Sequence, residues 1–171
     1  FVVPANCIST VSCYYPQAPF FVPFTVMAFA ATAAALSGIR AGFKRRGRED
    51  IQVVGFSGDG GTADIGIQAL SGAIDCGNKF IYICYDNEAY MNTGVQRSGS
   101  TPPGAFSTTT PNGKVGNKKN MAKIMEAHGI PYVATAISSY PLDIYDKFKN
   151  AQNVHGPKYI HILAPCPPGW G

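Results

Sequence analysis

Apolar residues recur along the chain in short runs separated by longer amphipathic stretches. Five nearly continuous apolar runs predict buried β-strands at residues 1–4, 51–56, 80–85, 132–137 and 159–164. The stretches between them place apolar residues at helical spacing and predict helices at residues 25–44, 63–75, 118–128 and 142–154. Gly77 and Gly129 stand where helix C-termini are expected, and Pro141 stands near the first turn of the last helix.

This alternation of strands and helices predicts an α/β fold with a parallel sheet covered by helices on both faces. In such sheets ligands bind beyond the carboxyl ends of the strands. The loops that follow residues 51–56 and 80–85 are therefore the first candidates for a binding site. Residues 92–117 are rich in Gly, Ser, Thr and Pro and show no periodicity, so we expect an irregular active-site or interface loop there.

The length and composition predict a single ordered domain. The chain has 171 residues, of which 46% are hydrophobic and 14% charged, which is enough apolar material for one ordinary core. We assign residues 1–171 to one domain. The chain starts with Phe1, and its first residues already read as a strand, so we expect a fragment that lacks upstream and downstream segments.

Charge and hydropathy argue against nucleic acid and membrane partners. Lys and Arg exceed Asp and Glu by 14 to 10, but they form two short clusters instead of a long stripe, so nucleic acid is not implied. Residues 14–39 carry no charge and are long enough to span a membrane, yet Pro16, Pro19 and Pro23 interrupt them. The Ala-rich remainder predicts a buried helix with no membrane span. No secretion signal is visible, which favours a cytoplasmic location.

A glycine-rich loop follows the second predicted strand. Gly58, Gly60 and Gly61 would let the backbone turn sharply and approach a phosphate group, at the N-terminus of the next helix. The same letters satisfy the GxGxxA form of the dinucleotide fingerprint, which is a weak signal alone. A dinucleotide-binding module is therefore the alternative from a different class of function.

Asp59 favours a diphosphate held through a metal ion. Its carboxylate would repel a pyrophosphate unless a divalent cation lay between them, and Mg²⁺ is normally held by one or two carboxylates and phosphate oxygens. Asn87 and the backbone carbonyl of Ala89 would supply further oxygen ligands from the loop after the next strand. The separation of 87 − 59 = 28 residues fits one helix and one strand of a βαβ unit. A tight turn at 58–61 with Asn87 as a helix cap is the less favoured reading.

The residues resemble a known family at this point. GDG followed about thirty residues later by Asn is the thiamine diphosphate motif, and the continuation DNEAYMNTGVQRSGSTPPGA is similar to the beta subunit of pyruvate:ferredoxin oxidoreductase. The resemblance extends from VVPANC through KKNMAKIMEAHGIPYVATA to YIHILAPCPPGW, and so covers nearly the whole chain. It implies a thiamine diphosphate-binding domain.

The resemblance assigns roles to individual positions. It implies that Asp59, Asn87 and the Ala89 carbonyl bind Mg²⁺, and that Gly58, Gly60 and Gly61 form the loop near the phosphates. Asn92 resembles the active-site Asn that lies near the reactive carbon of the cofactor and the substrate carboxylate. Thr93 falls where the family has a hydroxyl near the diphosphate, although a hydrogen bond that stabilises the loop is an alternative role for it.

Two cysteines resemble ligands of a [4Fe–4S] cluster. The five cysteines contain no CxxC pair, so composition alone indicates neither a disulfide framework nor a zinc site. In the family, however, a Cys in the position of Cys7 and one in CPxGW, here Cys166, bind the cluster together with an upstream CxxC pair. Since such a cluster takes four thiolates, the pair has been lost or lies upstream of Phe1, and we expect the latter. Cys13, Cys76 and Cys84 are expected to be structural.

The implied function is oxidative decarboxylation of pyruvate to acetyl-CoA and CO₂, with electrons passing through the cluster to ferredoxin. Oxalate or another 2-oxoacid is the alternative substrate. The implied partners are an alpha subunit that completes the thiamine site and supplies the catalytic Glu, a ferredoxin-like cluster subunit or domain, ferredoxin and coenzyme A. Glu88 is a candidate base only if that geometry fails. We expect structural roles for the histidines and a solvated or subunit-contact role for Arg97, Lys118 and Lys119.

Overall fold

The computed structural model describes residues 1–12, 16 and 20–171. Six parallel strands form one sheet in the order β2-β1-β3-β4-β8-β7. These strands are β1 (Val2–Pro4), β2 (Thr25–Met27), β3 (Val54–Gly58), β4 (Ile81–Asp86), β7 (Tyr132–Ile137) and β8 (Lys158–Leu163). A separate antiparallel ribbon pairs β5 (Ala89–Tyr90) with β6 (Gln96–Arg97).

Helices cover both faces of the sheet, which confirms the predicted α/β architecture. They are α1 (Cys7–Ser12), α2 (Thr32–Arg45), α3 (Ile67–Asp75), α4 (Met121–Ala127), α5 (Pro141–Gln152) and α6 (Pro167–Trp170), with a π-helical turn at Gly60–Asp64. Successive side chains of a strand point to opposite faces of a sheet. Tyr82 and Tyr159 accordingly pack with α2, α3 and α4, whereas Ile81, Ile83 and Ile160 pack with α5.

All five predicted strands are present, with boundaries shifted by a few residues, but the predicted helix at residues 25–44 is wrong in its first part. Residues Thr25–Met27 form strand β2 and pair in parallel with β1, in the register Val2↔Thr25. Thr25 and Val26 are β-branched and suit a strand, and the Ala-rich helix begins only at Thr32. The apolar continuity of the segment concealed this change of structure.

The helix predicted at residues 118–128 begins later than expected. The Asn120 side chain caps α4 by accepting a hydrogen bond from Lys123 N at 3.0 Å. Lys118 and Lys119 therefore lie in the preceding loop. Two short helices, α1 and α6, were not predicted. Gly77 and Gly129 follow their helices with φ of 65° and 69°, as expected of C-terminal glycines.

The register of the central strands places the candidate loops side by side. β3 and β4 are neighbours and pair Gly58 with Tyr85, so the chain leaves both strands at the same level. β1 lies beside β3, and β8 lies beside β4. The carboxyl ends of these four strands therefore bring together the loops that start at residues 5, 59, 87 and 164. Among the described residues, no helix is long and apolar enough to cross a membrane.

Candidate functional site

A cavity of about 260 Å³ opens at this edge of the sheet. Its wall contains backbone and side chains from the loops after β1, β3 and β4. All the predicted site residues except Cys166 line it: Cys7, Gly58, Asp59, Gly60, Gly61, Asn87, Ala89, Asn92 and Thr93. The structure thus brings together residues that are up to 86 positions apart in the sequence (93 − 7 = 86).

Three oxygen atoms converge in this cavity. The Asn87 side-chain oxygen lies 2.7 Å from the Ala89 carbonyl oxygen and 3.0 Å from Asp59 Oδ1, both acceptors, and it accepts a long hydrogen bond from Ala89 N at 3.5 Å. Oxygens so placed repel one another unless a positive group lies among them. A reversed Asn87 amide would supply such a group as an N–H donor to both oxygens, and a cation would supply it with the oxygen where it is.

The separations of these oxygens fit the second possibility. Mg²⁺ binds oxygen ligands octahedrally at about 2.1 Å, which places adjacent ligand oxygens about 3 Å apart. The same separations are normal for N–H···O bonds of a reversed amide, and with the oxygen on this side the Asn87 nitrogen lies 3.7 Å from Cys7 Sγ. Asp59 and Asn87 are buried, with 2% and 6% of their surfaces exposed. The predicted ligands therefore fit one face of a magnesium site.

Asp59 is an unusual carboxyl group. Its burial raises its pKa to about 7, and the nearby Asp86 carboxylate adds to the increase. Ser98 donates a hydrogen bond to Asp59 Oδ2 and opposes this effect. The bond also leaves Oδ1 directed towards Asn87. A buried carboxylate without a counter-ion is costly, and a bound divalent cation would remove that cost.

The glycines of the loop are required by close packing. A Cβ atom on Gly60 would lie 2.3 Å from a ring atom of Tyr90, and one on Gly61 would lie 2.6 Å from Ser57 Oγ. Gly58 has more room, since its nearest neighbour is the Tyr85 ring at 3.8 Å. None of the three has a positive φ, so the sharp turn that we predicted is instead a direct passage from β3 into the π-helical turn.

Asp64, at the end of the π-helical turn, fixes this turn to the long irregular loop. Its carboxylate accepts hydrogen bonds from the Tyr90 hydroxyl, from Gly99 N and from Lys119 Nζ, each at 2.9 Å. Lys119 Nζ also donates to the Ala63 carbonyl at 2.6 Å. Lys119 is therefore bound to the π-helical turn, while 43% of its side chain remains exposed.

A second ion network lies next to the loop that carries Asn87 and Ala89. Asp86 is fully buried and accepts from Lys118 Nζ at 2.7 Å and from His161 Nε2 at 3.0 Å. Burial alone would raise the pKa of Asp86, but the hydrogen bonds from His161 and Lys118 lower it. The Tyr159 hydroxyl lies 2.8 Å from Nδ1 of His161, so both ring nitrogens have a hydrogen-bond partner, as expected of a structural histidine. Lys118 also contacts Glu88 Oε1 at 2.6 Å.

The two family cysteines lie next to the same cavity. Cys7 is the first residue of α1, and its thiol contacts Asn92 Oδ1 at 3.5 Å. Burial raises the pKa of the Cys7 thiol, and the neighbouring Cys166 adds to the increase. Cys166 precedes α6, whose Trp170 donates from Nε1 to the Asn87 carbonyl at 2.9 Å. Cys7 therefore starts a short helix. Cys13 lies outside the described residues.

Thr93 makes its hydrogen bonds within the ribbon. Its hydroxyl donates to Gln96 Oε1 and lies 3.5 Å from the Tyr90 carbonyl oxygen, within the turn between β5 and β6. Gln96 Nε2 donates back to the Thr93 carbonyl at 2.7 Å. Thr93 lines the cavity, but its hydroxyl stabilises the ribbon turn.

The sequence profile of one protein family matches residues 7–162, described as the C-terminal TPP binding domain of thiamine pyrophosphate enzymes. The match includes the two loops that carry Asp59, Asn87 and Ala89. The chain belongs to this family.

Two relatives illustrate the similarity of this thiamine pyrophosphate-binding domain to longer proteins. Pyruvate synthase subunit PorB of Methanothermobacter thermautotrophicus is 53% identical over 175 residues, which cover 99% of this chain and 61% of that protein. Ketoisovalerate oxidoreductase subunit VorB of Pyrococcus horikoshii is 50% identical over 179 residues, which cover 99% of this chain and 58% of that protein. The chain therefore spans about 60% of the length of these relatives.

A solved structure shares the fold of the domain. The 2-oxoglutarate:ferredoxin oxidoreductase of Magnetococcus marinus, with 2-oxoglutarate, coenzyme A and succinyl-CoA bound, superposes with a TM-score of 0.84 at 25% sequence identity. The superposition covers 97% of this chain and 54% of that chain.

Several residues of this TPP-binding domain escaped sequence reasoning. Ser98 contacts Asp59, and Thr101 and Lys118 both contact Glu88. All three stand in or next to a segment without periodicity. Residues 92–117 are rich in Gly, Ser, Thr and Pro and are unusually long for a loop in a compact domain, which indicated a functional loop but no particular contact.

Proposed function

We propose that this chain is the Mg²⁺- and diphosphate-binding domain of a subunit of a 2-oxoacid:ferredoxin oxidoreductase. The observation that carries the proposal is the convergence of Asp59 Oδ1, the Asn87 side-chain oxygen and the Ala89 carbonyl oxygen in the cavity. The names of the relatives, a pyruvate synthase subunit and a ketoisovalerate oxidoreductase subunit, support this class of enzyme.

The preferred substrate is pyruvate. In the complete enzyme, pyruvate and coenzyme A would give acetyl-CoA, CO₂ and a proton, while two electrons would pass one at a time to ferredoxin. Ketoisovalerate is a specific second candidate because the VorB relative is 50% identical and the PorB relative 53%. Oxalate and other 2-oxoacids are further alternatives within the same machinery.

Each residue has a defined part in this proposal. Asp59, Asn87 and Ala89 would hold Mg²⁺ through oxygen, and the loop at 58–61 would lie against the diphosphate. Asn92 lies at the cavity wall with an amide that can donate a hydrogen bond to a substrate carboxylate. Thiamine diphosphate, when bound, supplies the carbon that adds to the 2-oxo group and stores electrons after CO₂ leaves.

Cys7 and Cys166 would supply two thiolates to a [4Fe–4S] cluster. Burial raises the pKa of the Cys7 thiol, so cluster binding would have to displace its proton. A cubane needs four thiolates, so two would come from outside this sequence. The catalytic Glu would come from an alpha subunit, and coenzyme A and ferredoxin would be the other reaction partners.

The test compares the purified complex that contains this chain with its Asp59→Ala variant. Asp50→Ala is the matched control, since Asp50 is an exposed carboxylate paired with Arg48 on the surface. We expect the wild-type and control complexes to retain Mg²⁺ and thiamine diphosphate, and the Asp59→Ala complex to lose both. Retention of thiamine diphosphate by Asp59→Ala would contradict the metal site, and binding of NAD or FAD without a metal would favour the dinucleotide-binding module instead.

The substrate is tested in the same preparation. Reduction of ferredoxin with coenzyme A present is measured with pyruvate, ketoisovalerate, 2-oxoglutarate and oxalate at matched concentrations. We expect the highest kcat/KM with pyruvate. A higher value with ketoisovalerate would assign the chain to the branched-chain enzymes, and no reduction with any of the four acids would contradict the enzyme class.

A further inference from the structure

The metal loop is the segment that carries the proposed Mg²⁺ ligands Asn87 and Ala89. The residue between them has a strained backbone. Glu88 has φ of +70°, and the other non-glycine residue with a positive φ in the described part of the chain is Val95. This conformation is unfavourable for a residue with a Cβ atom and persists only where the surroundings hold it. Glu88 stands between Asn87 and Ala89, the two residues that supply oxygens from this loop.

The strained conformation determines how those two oxygens are placed. A left-handed residue turns the chain sharply, whereas an extended one continues it. Asn87 and Ala89 are therefore folded back towards each other, and their oxygens lie 2.7 Å apart. An extended Glu88 would point the Ala89 carbonyl away from the Asn87 side chain.

Three contacts hold Glu88 in this conformation. Its N–H donates to Asp86 Oδ1 at 2.9 Å, and its carbonyl accepts from the Thr101 hydroxyl at 2.5 Å. Its carboxylate pairs with Lys118 Nζ at 2.6 Å. The donor, the acceptor and the side chain of Glu88 are thus each fixed by a different residue.

Lys118 links both sides of the ligand residue Asn87. Its ammonium contacts Asp86 Oδ2 at 2.7 Å and Glu88 Oε1 at 2.6 Å, so it bridges the residues before and after Asn87. Only 29% of the Lys118 side chain is exposed, and Asp86 is fully buried. Solvent and salt weaken the attraction in such a partly buried ion pair less than in a pair on the surface.

We infer that Lys118 and Thr101 are positioning residues for the cation of the metal loop. They hold Glu88 in the left-handed conformation, so that the Asn87 and Ala89 oxygens stay converged with Asp59 Oδ1. This inference rests on the proposed Mg²⁺ site. The Glu88 carboxylate is accordingly paired with Lys118 and does not line the cavity.

The experiment measures the thiamine diphosphate retained by the intact complex after dialysis at a series of Mg²⁺ concentrations. The variants are Lys118→Met and Thr101→Val. Lys123→Met removes an exposed lysine of α4 with the same change of charge, and Thr101→Ser keeps the hydroxyl. Loss of an outer contact to metal ligands typically lowers metal affinity about 10- to 100-fold.

We expect Lys118→Met and Thr101→Val to need about 10- to 100-fold more Mg²⁺ for half retention, yet to reach wild-type occupancy at saturating Mg²⁺. The two control variants should follow the wild-type curve. If Lys118→Met fails to assemble because Asp86 loses its ammonium partner, Thr101→Val alone decides.

Two results would overturn the inference. One is a wild-type Mg²⁺ dependence in both variants. The other is reduced occupancy at every Mg²⁺ concentration, which indicates a general structural defect. The Asp59→Ala complex separates these outcomes from the proposed function: its failure to retain thiamine diphosphate supports the metal site even when the positioning role is absent.

Discussion

At the scale of single residues, the burial of Asp59 couples metal binding to protons. Its pKa is raised to about 7, chiefly by burial, so a proton competes with the cation at neutral pH. We predict that Mg²⁺ affinity of the complex falls about tenfold for each pH unit below 7 and levels off above 8. Isothermal titration calorimetry in buffers of different ionisation enthalpy would show about one proton released per cation near pH 6. A pH-independent affinity between 5.5 and 8 would contradict this.

The same carboxyl group makes the metal-free fold sensitive to pH. The pKa of Asp59 is about 7 in the fold against an ordinary value of 3.8, so its protonated form is favoured by folding. The stabilisation is fully present below 3.8 and is lost as the pH rises through 7, with a magnitude of the order of 4 kcal/mol. We predict that Asp59→Asn, in a complex stripped of metal and cofactor, unfolds at a higher temperature than wild type at pH 8, and that the difference disappears at pH 4.

Gly60 offers a test of packing at the π-helical turn Gly60–Asp64. In Gly60→Ala, the new methyl group would lie 2.3 Å from Tyr90 Cε1, so the ring must move and weaken its hydrogen bond to Asp64. We predict a loss of about 1–3 kcal/mol of stability and weaker cofactor retention. Gly72→Ala in α3 is the control, because nothing lies within 4 Å of the added Cβ, and we expect it to raise stability by about 0.5–1 kcal/mol. Equal thermal stability of the two variants would refute the packing argument.

Sequence reasoning located the residues whose chemistry is local and missed those whose role depends on long-range contacts. Asp59 and Asn87 follow strands, and their spacing alone indicated that they meet. Ser98 contacts Asp59 from 39 positions away in the sequence (98 − 59), and Lys118 contacts Asp86, the neighbour of Asn87, from 32 positions away (118 − 86). No propensity or spacing rule links such pairs, so only the folded chain reveals them.

At the scale of secondary structure, Asn120 determines where α4 begins. Its side chain accepts from Lys123 N, and the helix places Met121 and Met125 in the core. We predict that Asn120→Ala lowers the free energy of unfolding by about 1 kcal/mol, whereas Asn120→Ser, which keeps a capping oxygen, changes it by a few tenths. Chemical denaturation followed by circular dichroism measures both. A wild-type midpoint for Asn120→Ala would show that the cap is unimportant.

The elements that the sequence predicted well are those with a strong single pattern. The apolar runs at β4 and β8 admit only buried strands, because their alternate residues pack on both helical layers. The error at Thr25–Met27 has a clear origin: this short strand is joined to α2 by apolar residues, so the pattern never breaks between them. Its strand character depends on pairing with β1, which is a tertiary contact.

At the scale of the whole molecule, the order of strands in the sheet creates the site. β3 and β4 lie at the centre and carry the oxygen ligands, while β1 and β8 flank them and lead to Cys7 and Cys166. The proposed metal and cluster ligands therefore leave four adjacent strands at one edge. The irregular loop is fixed at this edge by its hydrogen bonds to Asp59, Asp64 and Glu88.

The most direct test of the proposed site replaces Mg²⁺ with Mn²⁺ in the intact complex and records ³¹P electron–nuclear double resonance. If Asp59, Asn87 and Ala89 hold a cation that bridges to the diphosphate, the Mn²⁺ signal will show ³¹P coupling in the wild-type complex and none in Asp59→Ala. Bound Mn²⁺ without ³¹P coupling in the wild type, or unchanged coupling in Asp59→Ala, would contradict the account.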